Sequence, residues 1–186
     1  MEPMTIVAIV GSLRQGSFNR QLAEAAAGCC RDKARFTILD YTDVPFMDQD
    51  WEYPPPAAVD RVRKAVEAAD GVWFFTPEYN HFFPGVLKNL LDWLSRPGPD
   101  KRRVLSGKPA AVSGVTPGMS GTGVAQDHLV TLISLLNMNV MNTPRLTIPH
   151  VLEQVKMGKL ELTDSLPYLQ KQADAFLDFI RRHRDD

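Results

Sequence analysis

Thr5-Ile-Val-Ala-Ile-Val-Gly-Ser-Leu-Arg-Gln-Gly-Ser-Phe-Asn19 is the stretch that decides the fold. Its first part, Thr5–Val10, is a largely β-branched apolar run without alternation, the pattern of a central parallel strand covered on both faces. A polar, glycine-bearing loop follows at Gly11–Ser17, then a helix-like stretch from Asn19 to about Cys30. A buried strand that turns directly into a helix leaves the first N–H groups of that helix, and its positive end, facing outward. Ser12, Ser17 and Asn19 add side-chain donors, and Arg14 adds a planar fork suited to phosphate oxygens. An N-cap serine alone accounts for Ser17. Four donors between Ser12 and Asn19 point further, to a monophosphate dianion.

Two other phosphate loops do not match. Gly11 and Gly16 have the P-loop spacing, but Ser17 stands where the lysine is required. The same glycines fit the outer positions of the dinucleotide fingerprint, yet Leu13 occupies the middle one, where only glycine lets the backbone approach a pyrophosphate.

Outward from this stretch, the chain alternates strands and helices. Arg35–Tyr41 reads as a second strand and Val72–Phe75 as a third. Pro109–Gly114 reads as a fourth and Asn139–Met141 as a short fifth. Between them, Val59, Val62, Val66 and Ala69 recur at helical spacing in Ala57–Ala69, and Val86, Leu87, Leu90, Leu91 and Leu94 do so in a helix begun by Pro84 and ended at Ser95. Val124–Leu136 and Ser165–Arg182 complete the set, with Pro167 tolerated in the first turn of the last helix. Thr42–Pro56 holds four prolines and reads as a surface excursion, and Pro144–Gly158 as irregular. Such alternation implies right-handed crossovers and a doubly wound parallel sheet, an α/β fold of the flavodoxin-like class with strand order 2-1-3-4-5 by analogy. One domain over residues 1–186 is expected from the length, and it buries roughly two-thirds of its unfolded surface.

In that order the loops after strands 1, 3 and 4 line one crevice at the switch point. The second of them, Thr76-Pro-Glu-Tyr-Asn-His-Phe-Phe-Pro-Gly85, offers backbone amides with Tyr79 and Asn80 for the polar edge of a flat heterocycle; Phe82 and Phe83 taken alone read as core. The third, Ser113–Gly123, carries four glycines, which permit close approach to a ligand face.

Taken together, Gly11-Ser-Leu-Arg-x-x-Ser-x-Asn-Arg20, Thr76-Pro-Glu-Tyr-Asn80 with Pro84-Gly85, and Leu87-Lys-Asn-Leu-Leu-Asp-Trp-Leu-Ser-Arg-Pro97 resemble the NADPH-dependent FMN reductase family of quinone, chromate and azo-dye reductases. The resemblance spans about Thr5 to Asn142. It implies FMN at the crevice, with NADPH or NADH as co-substrate and a small oxidised acceptor. Ser12, Arg14, Ser17 and Asn19 would hold the phosphate. Pro77, Glu78, Tyr79 and Asn80 would border the isoalloxazine, and Ser113 with Gly114 would lie against its other side. Homodimers, or dimers of dimers, would form through the helix at 84–95. The chain departs from the family at Phe82, where a small residue is usual, and at Gly121-Thr122 and Val124, where the glycine-rich loop ordinarily ends in a glycine pair followed by arginine. His81 and Glu78 are the candidates for proton delivery. A one-electron carrier of flavodoxin type and a non-catalytic FMN-binding regulatory module stand as alternatives; the balanced charge speaks against the acidic docking face of a carrier.

Composition narrows the rest. The sequence has 186 residues, 44% of them apolar, and a formal charge of −1 from 21 basic and 22 acidic side chains. No basic face of the kind that binds duplex nucleic acid is implied, and Arg181–Arg184 reads as a solvated helix end whose cations suit the macrodipole. The longest mainly apolar stretch, Leu129–Met141, is too short and too often interrupted for a bilayer. Nothing at Met1–Val10 resembles a secretory leader, so a cytoplasmic protein is expected. Cys29 and Cys30 are adjacent and read as small apolar groups at the inner end of a helix, with redox sensing as the alternative. His128, His150 and His183 show no metal-ligand spacing, and no metal is expected.

Overall fold

The computed structural model describes residues 3–98 and 100–184. In chain order its elements are β1 (Met4–Val10), α1 (Phe18–Cys29), β2 (Ala34–Ile38), α2 (Ala57–Glu67), β3 (Gly71–Phe75), α3 (Gly85–Ser95), β4 (Pro109–Val115), α4 (Gly123–Leu135), β5 (Asn139–Val140), β6 (Leu146–Ile148), β7 (Val155–Lys156), β8 (Lys159–Leu160) and α5 (Leu166–Arg184). The main sheet is parallel throughout, in the order β2-β1-β3-β4-β5. This is the doubly wound, flavodoxin-like arrangement that the alternation of elements implied.

The unbroken apolar runs follow from burial on both faces. Along β1, Ile6, Ala8 and Val10 join Trp73 and Phe75 of β3 beneath α1 and α5. The intervening Val7 and Ile9 join Val72 and Phe74 beneath α2, α3 and α4. Each large side chain so enclosed contributes roughly 1.5–3 kcal/mol of hydrophobic stabilisation. Close approach is needed where α5 crosses the start of β3: a Cβ on Gly71 would stand 2.6 Å from Ile180 Cδ1.

The far edge differs from the sequence reading. Instead of one short fifth strand followed by irregular chain, β4 pairs with β5 at its start, through Pro109 and Ala110, and with β6 at its end, through Ser113–Val115. β5 and β6 are two halves of one interrupted edge strand. Pro144, which has no N–H to give a ladder, lies in the break. Two buried glutamines stitch the break to the core. Gln172 of α5 donates to Val112 O and Pro144 O, and Gln126 of α4 donates to Leu146 O. A small antiparallel hairpin, β7–β8, begins within the stretch expected to be irregular and ends just beyond it.

The proline-rich excursion between β2 and α2 has no regular helix beyond a 3₁₀ turn at Gln49–Trp51. It is tied to α3, since Pro45 O accepts from both Asn89 Nδ2 and Trp93 Nε1. Among the described residues, no helix is long and apolar enough to cross a membrane.

Candidate active site

The loops after β1, β3 and β4 meet at the carboxyl end of the sheet. They enclose a cavity of about 200 Å³ lined by Ser12, Arg14, Ser17–Asn19, Pro77–Tyr79 and Val115–Pro117. Larger openings lie elsewhere, one of about 500 Å³ beside Pro144–His150 and one of about 350 Å³ between the first loop and Leu39–Thr42. Neither brings all three loops together, so the smaller cavity is the better candidate despite its size.

The first loop forms as its sequence demands. Ser17 caps α1, its Oγ accepting from Arg20 N–H at 3.3 Å. The N–H groups of Phe18 and Asn19, at the first two helical positions, have no acceptor within the helix and open toward the cavity end of α1. Arg14 is exposed, its guanidinium 5.2 Å from the Phe18 ring centroid, and Ser12 Oγ accepts from Arg14 N–H. Helix start, serine and guanidinium together make a donor cradle with the chemistry to hold a doubly charged phosphate.

Asn19 does something else. It is buried, its Nδ2 donates to Val115 O and its Oδ1 accepts from Val115 N–H, both at 3.0 Å. The side chain read from sequence as a phosphate donor is committed to pinning α1 against the end of β4. These bonds occupy its Oδ1 and one of its two Nδ2–H donors.

The second loop leaves β3 through buried Thr76 and Pro77 and turns back on itself. Tyr79 and Phe82 exchange backbone bonds in both directions, at 2.9 and 3.0 Å, around Asn80 and His81. Both central residues have positive φ, 52° and 61°, which makes this a type I′ turn, with Asn80 at a position that favours it. Tyr79 lines the cavity, whereas Asn80 and His81 sit at the exposed tip. Glu78 points the other way: its side chain is only 6% exposed, Oε2 accepts from Ala125 N–H of α4 at 3.1 Å, and Oε1 lies 3.4 Å from His81 Nδ1. Phe82 stacks on His128 of α4, ring centroids 4.4 Å apart, and so packs along the helix as well as beside Phe83.

On the third side, the reading of Ser113 and Gly114 as a ligand face needs correction. Ser113 is fully buried; its Oγ accepts from Trp73 Nε1 and donates to Gln172 Oε1. Gly114 is also buried, and a Cβ there would stand 2.1 Å from Thr122 Oγ1 and 2.4 Å from Thr76 O. Both lie a layer beneath the cavity, where they let β3, β4 and the glycine-rich loop close up. The residues that do line this wall are Val115, Thr116 and Pro117. All three fall within the glycine-rich loop Ser113–Gly123 as read from the sequence, which did not single them out.

A cradle for a phosphate beside a polar-edged slot, at the switch point of a flavodoxin-like sheet, is the setting that FMN requires, and the donor set fits it. Residues 4–153, more than half of the chain, match the NADPH-dependent FMN reductase family. The chain belongs to that family. As a family member it is an enzyme, an NAD(P)H-dependent oxidoreductase that works through FMN with a nicotinamide co-substrate. It is 37% identical over 182 residues to a 2-hydroxy-1,4-benzoquinone reductase of Burkholderia sp, spanning 97% of this chain and 98% of the relative. It is 35% identical over 186 residues to a quinone reductase of Escherichia coli K12, with 97% of each covered. Among solved structures it is similar to FerB, a flavoenzyme NAD(P)H:(acceptor) oxidoreductase from Paracoccus denitrificans. That match has a TM-score of 0.88 and 32% identity, covering 97% of this chain and 98% of that one.

Proposed function

We propose that this reductase passes two electrons from NAD(P)H to a small, flat oxidised acceptor of quinone type. When bound, FMN supplies the hydride chemistry that no side chain can provide, so the protein needs no nucleophile of its own. The observation that carries the reading is the convergence of three loops on one cavity with a helix start at its floor. The names of the relatives supply the acceptor class.

In this proposal Arg14, Ser12 and the first turn of α1 hold the phosphate, with Ser17 fixing that turn as its cap. Pro77–Tyr79 border the isoalloxazine edge through backbone and the Tyr79 ring, and Thr116–Pro117 close the opposite side. The cavity orients donor and acceptor in succession and limits water access, which is the chain's own share of the rate. His81, 80% exposed at the hairpin tip, can hand a proton to solvent-facing acceptors only if the hairpin holds it toward the ring.

A single FMN-binding domain is proposed for the whole chain, working in the cytoplasm as a homodimer or dimer of dimers. Beside α3, exposed Phe46 and Leu13 with Val86 form an apolar groove that supports pairing on this side, close to the cavity. The test is direct. Purified protein is expected to be yellow, to release FMN on denaturation, and to oxidise NAD(P)H with benzoquinone along parallel reciprocal lines. A colourless protein without affinity for FMN, or intersecting lines, overturns the reading.

A further inference from the structure

α4 begins without a cap of its own. Its N-cap, Thr122, lies in the left-handed region at φ 72° and accepts from no backbone N–H of the helix; its Oγ1 instead accepts from the side-chain Nε2 of Gln126. The first turn, Gly123-Val-Ala, carries no acidic residue. Helix starts of this kind leave several N–H groups unmet and favour a nearby negative charge. The charge that meets them comes from a different loop. Glu78, almost wholly buried, reaches across from the end of β3 and accepts from Ala125 N–H.

Two further contacts join the same partners. Phe82, on the far arm of the Tyr79–Phe82 turn, stacks on His128, three residues along α4 from Ala125. Glu78 Oε1 also lies within 3.4 Å of His81 Nδ1, so the carboxylate braces the turn from inside. The hairpin that carries Tyr79 and the helix that follows the glycine-rich loop are thereby one piece. Between them they carry two walls of the cavity: Tyr79 lies on the hairpin, and Thr116 and Pro117 open the loop that leads into α4.

We infer that Glu78 is a positioning residue: by capping α4 from the β3 loop it sets the spacing of the two walls that border the flavin, and it acts through Ala125 N–H and not by giving up a proton. This rests on the proposed flavin site, and it assigns Glu78 a role distinct from the proton delivery that its sequence position first suggested.

The experiment compares Glu78→Ala and Glu78→Gln with wild type in three readouts. The first is amide hydrogen exchange at Ala125 in flavin-free protein. The second is FMN affinity by quenching of flavin fluorescence, and the third is the pH profile of kcat with benzoquinone. Loss of a cap leaves the Ala125 amide unprotected, so Glu78→Ala is expected to speed its exchange and weaken FMN binding each by about five- to tenfold. It is also expected to lower kcat without changing the shape of the pH profile. The glutamine oxygen can still accept from Ala125 N–H, so Glu78→Gln recovers most of each loss. Unchanged exchange at Ala125 in Glu78→Ala overturns the inference. So does a Glu78→Gln protein as slow as the alanine variant with one limb of the pH profile gone, since that outcome makes the carboxyl proton the requirement. Wild-type protein that binds no FMN sinks the proposed function instead, while the exchange measurement still decides the cap.

Discussion

Two helices begin at the carboxyl end of the same sheet, and they are finished in opposite ways. α1 carries its own cap in Ser17, and past that cap its remaining first-turn N–H groups face a cavity with Arg14 and Ser12 beside them. α4 has no cap within its own loop and is finished by a buried carboxylate from elsewhere in the chain. A helix start attracts negative charge in either case. The difference lies in who supplies it: at α4 the fold brings its own carboxylate, and at α1, under the proposed function, the place is kept for the FMN phosphate. The site is therefore marked less by the presence of a helix end than by one left open next to one that is closed.

The largest effect comes from stripping the open end. Replacing Ser12 and Arg14 together by alanine removes a hydroxyl and a charge-assisted fork worth about 1.5–3 kcal/mol, so FMN affinity is expected to fall by roughly a hundredfold. Riboflavin, which has no phosphate, should bind both proteins alike. Titration of flavin-free wild type and variant with the two flavins checks this, and equal losses for both would mean that the anion is held elsewhere.

Asn19 sharpens the contrast from the structural side. Its two bonds to Val115 are buried, and alanine would leave a strand N–H and C=O without partners at a cost of about 2–3 kcal/mol. The melting temperature of flavin-free Asn19→Ala should drop clearly, whereas the Ser12/Arg14 double variant should melt like wild type. Ser17→Ala falls between: loss of an ordinary N-cap costs about 1 kcal/mol, and Ser17→Gly only a few tenths. Denaturant unfolding of the flavin-free proteins ranks the three, and an alanine variant at position 17 as stable as wild type would remove the cap from the account.

Much of this was legible in the sequence, for a physical reason. Strands covered on both faces write themselves as unbroken β-branched runs, and Thr5–Val10 and Val72–Phe75 sit where such runs predict. The donor-rich loop between β1 and α1 was legible because donors were counted between a strand and a helix. Counting donors does not say where a side chain points, and Asn19, one of those counted, turns into the protein; so does Ser113, whose place against the ligand came from the family resemblance alone. β6, three residues long beyond Pro144, is shorter than any period can reveal. The Glu78 cap was hidden for a related reason: it joins residues 47 apart in sequence, and its only local trace is that α4 starts without an acidic or well-placed capping side chain.

The other end of α1 gives the smallest effect and the last test of the comparison. There the helix closes on Cys30, fully buried, with half-buried Cys29 beside it. Burial foremost, with Cys29 and Asp174 adding to it, pushes the Cys30 thiol up to about 12, and burial likewise raises Cys29. Such thiols are packing groups and poor nucleophiles, which argues against redox sensing at this pair. The sign of the linkage follows. The native state keeps the Cys30 proton at pH values where the unfolded chain has released it, so the unfolded state binds fewer protons and stability falls as pH rises. The contribution is complete below the ordinary thiol range, near 8.5, and is lost progressively toward about 12. At pH 9 the loss amounts to about 0.8 kcal/mol. Urea unfolding at pH 7, 8 and 9 should show it in wild type, and Cys30→Ala, though less stable throughout, should show a shallower slope. Rapid alkylation of Cys30 in the folded protein at pH 8 would contradict the burial that this end of the helix depends on.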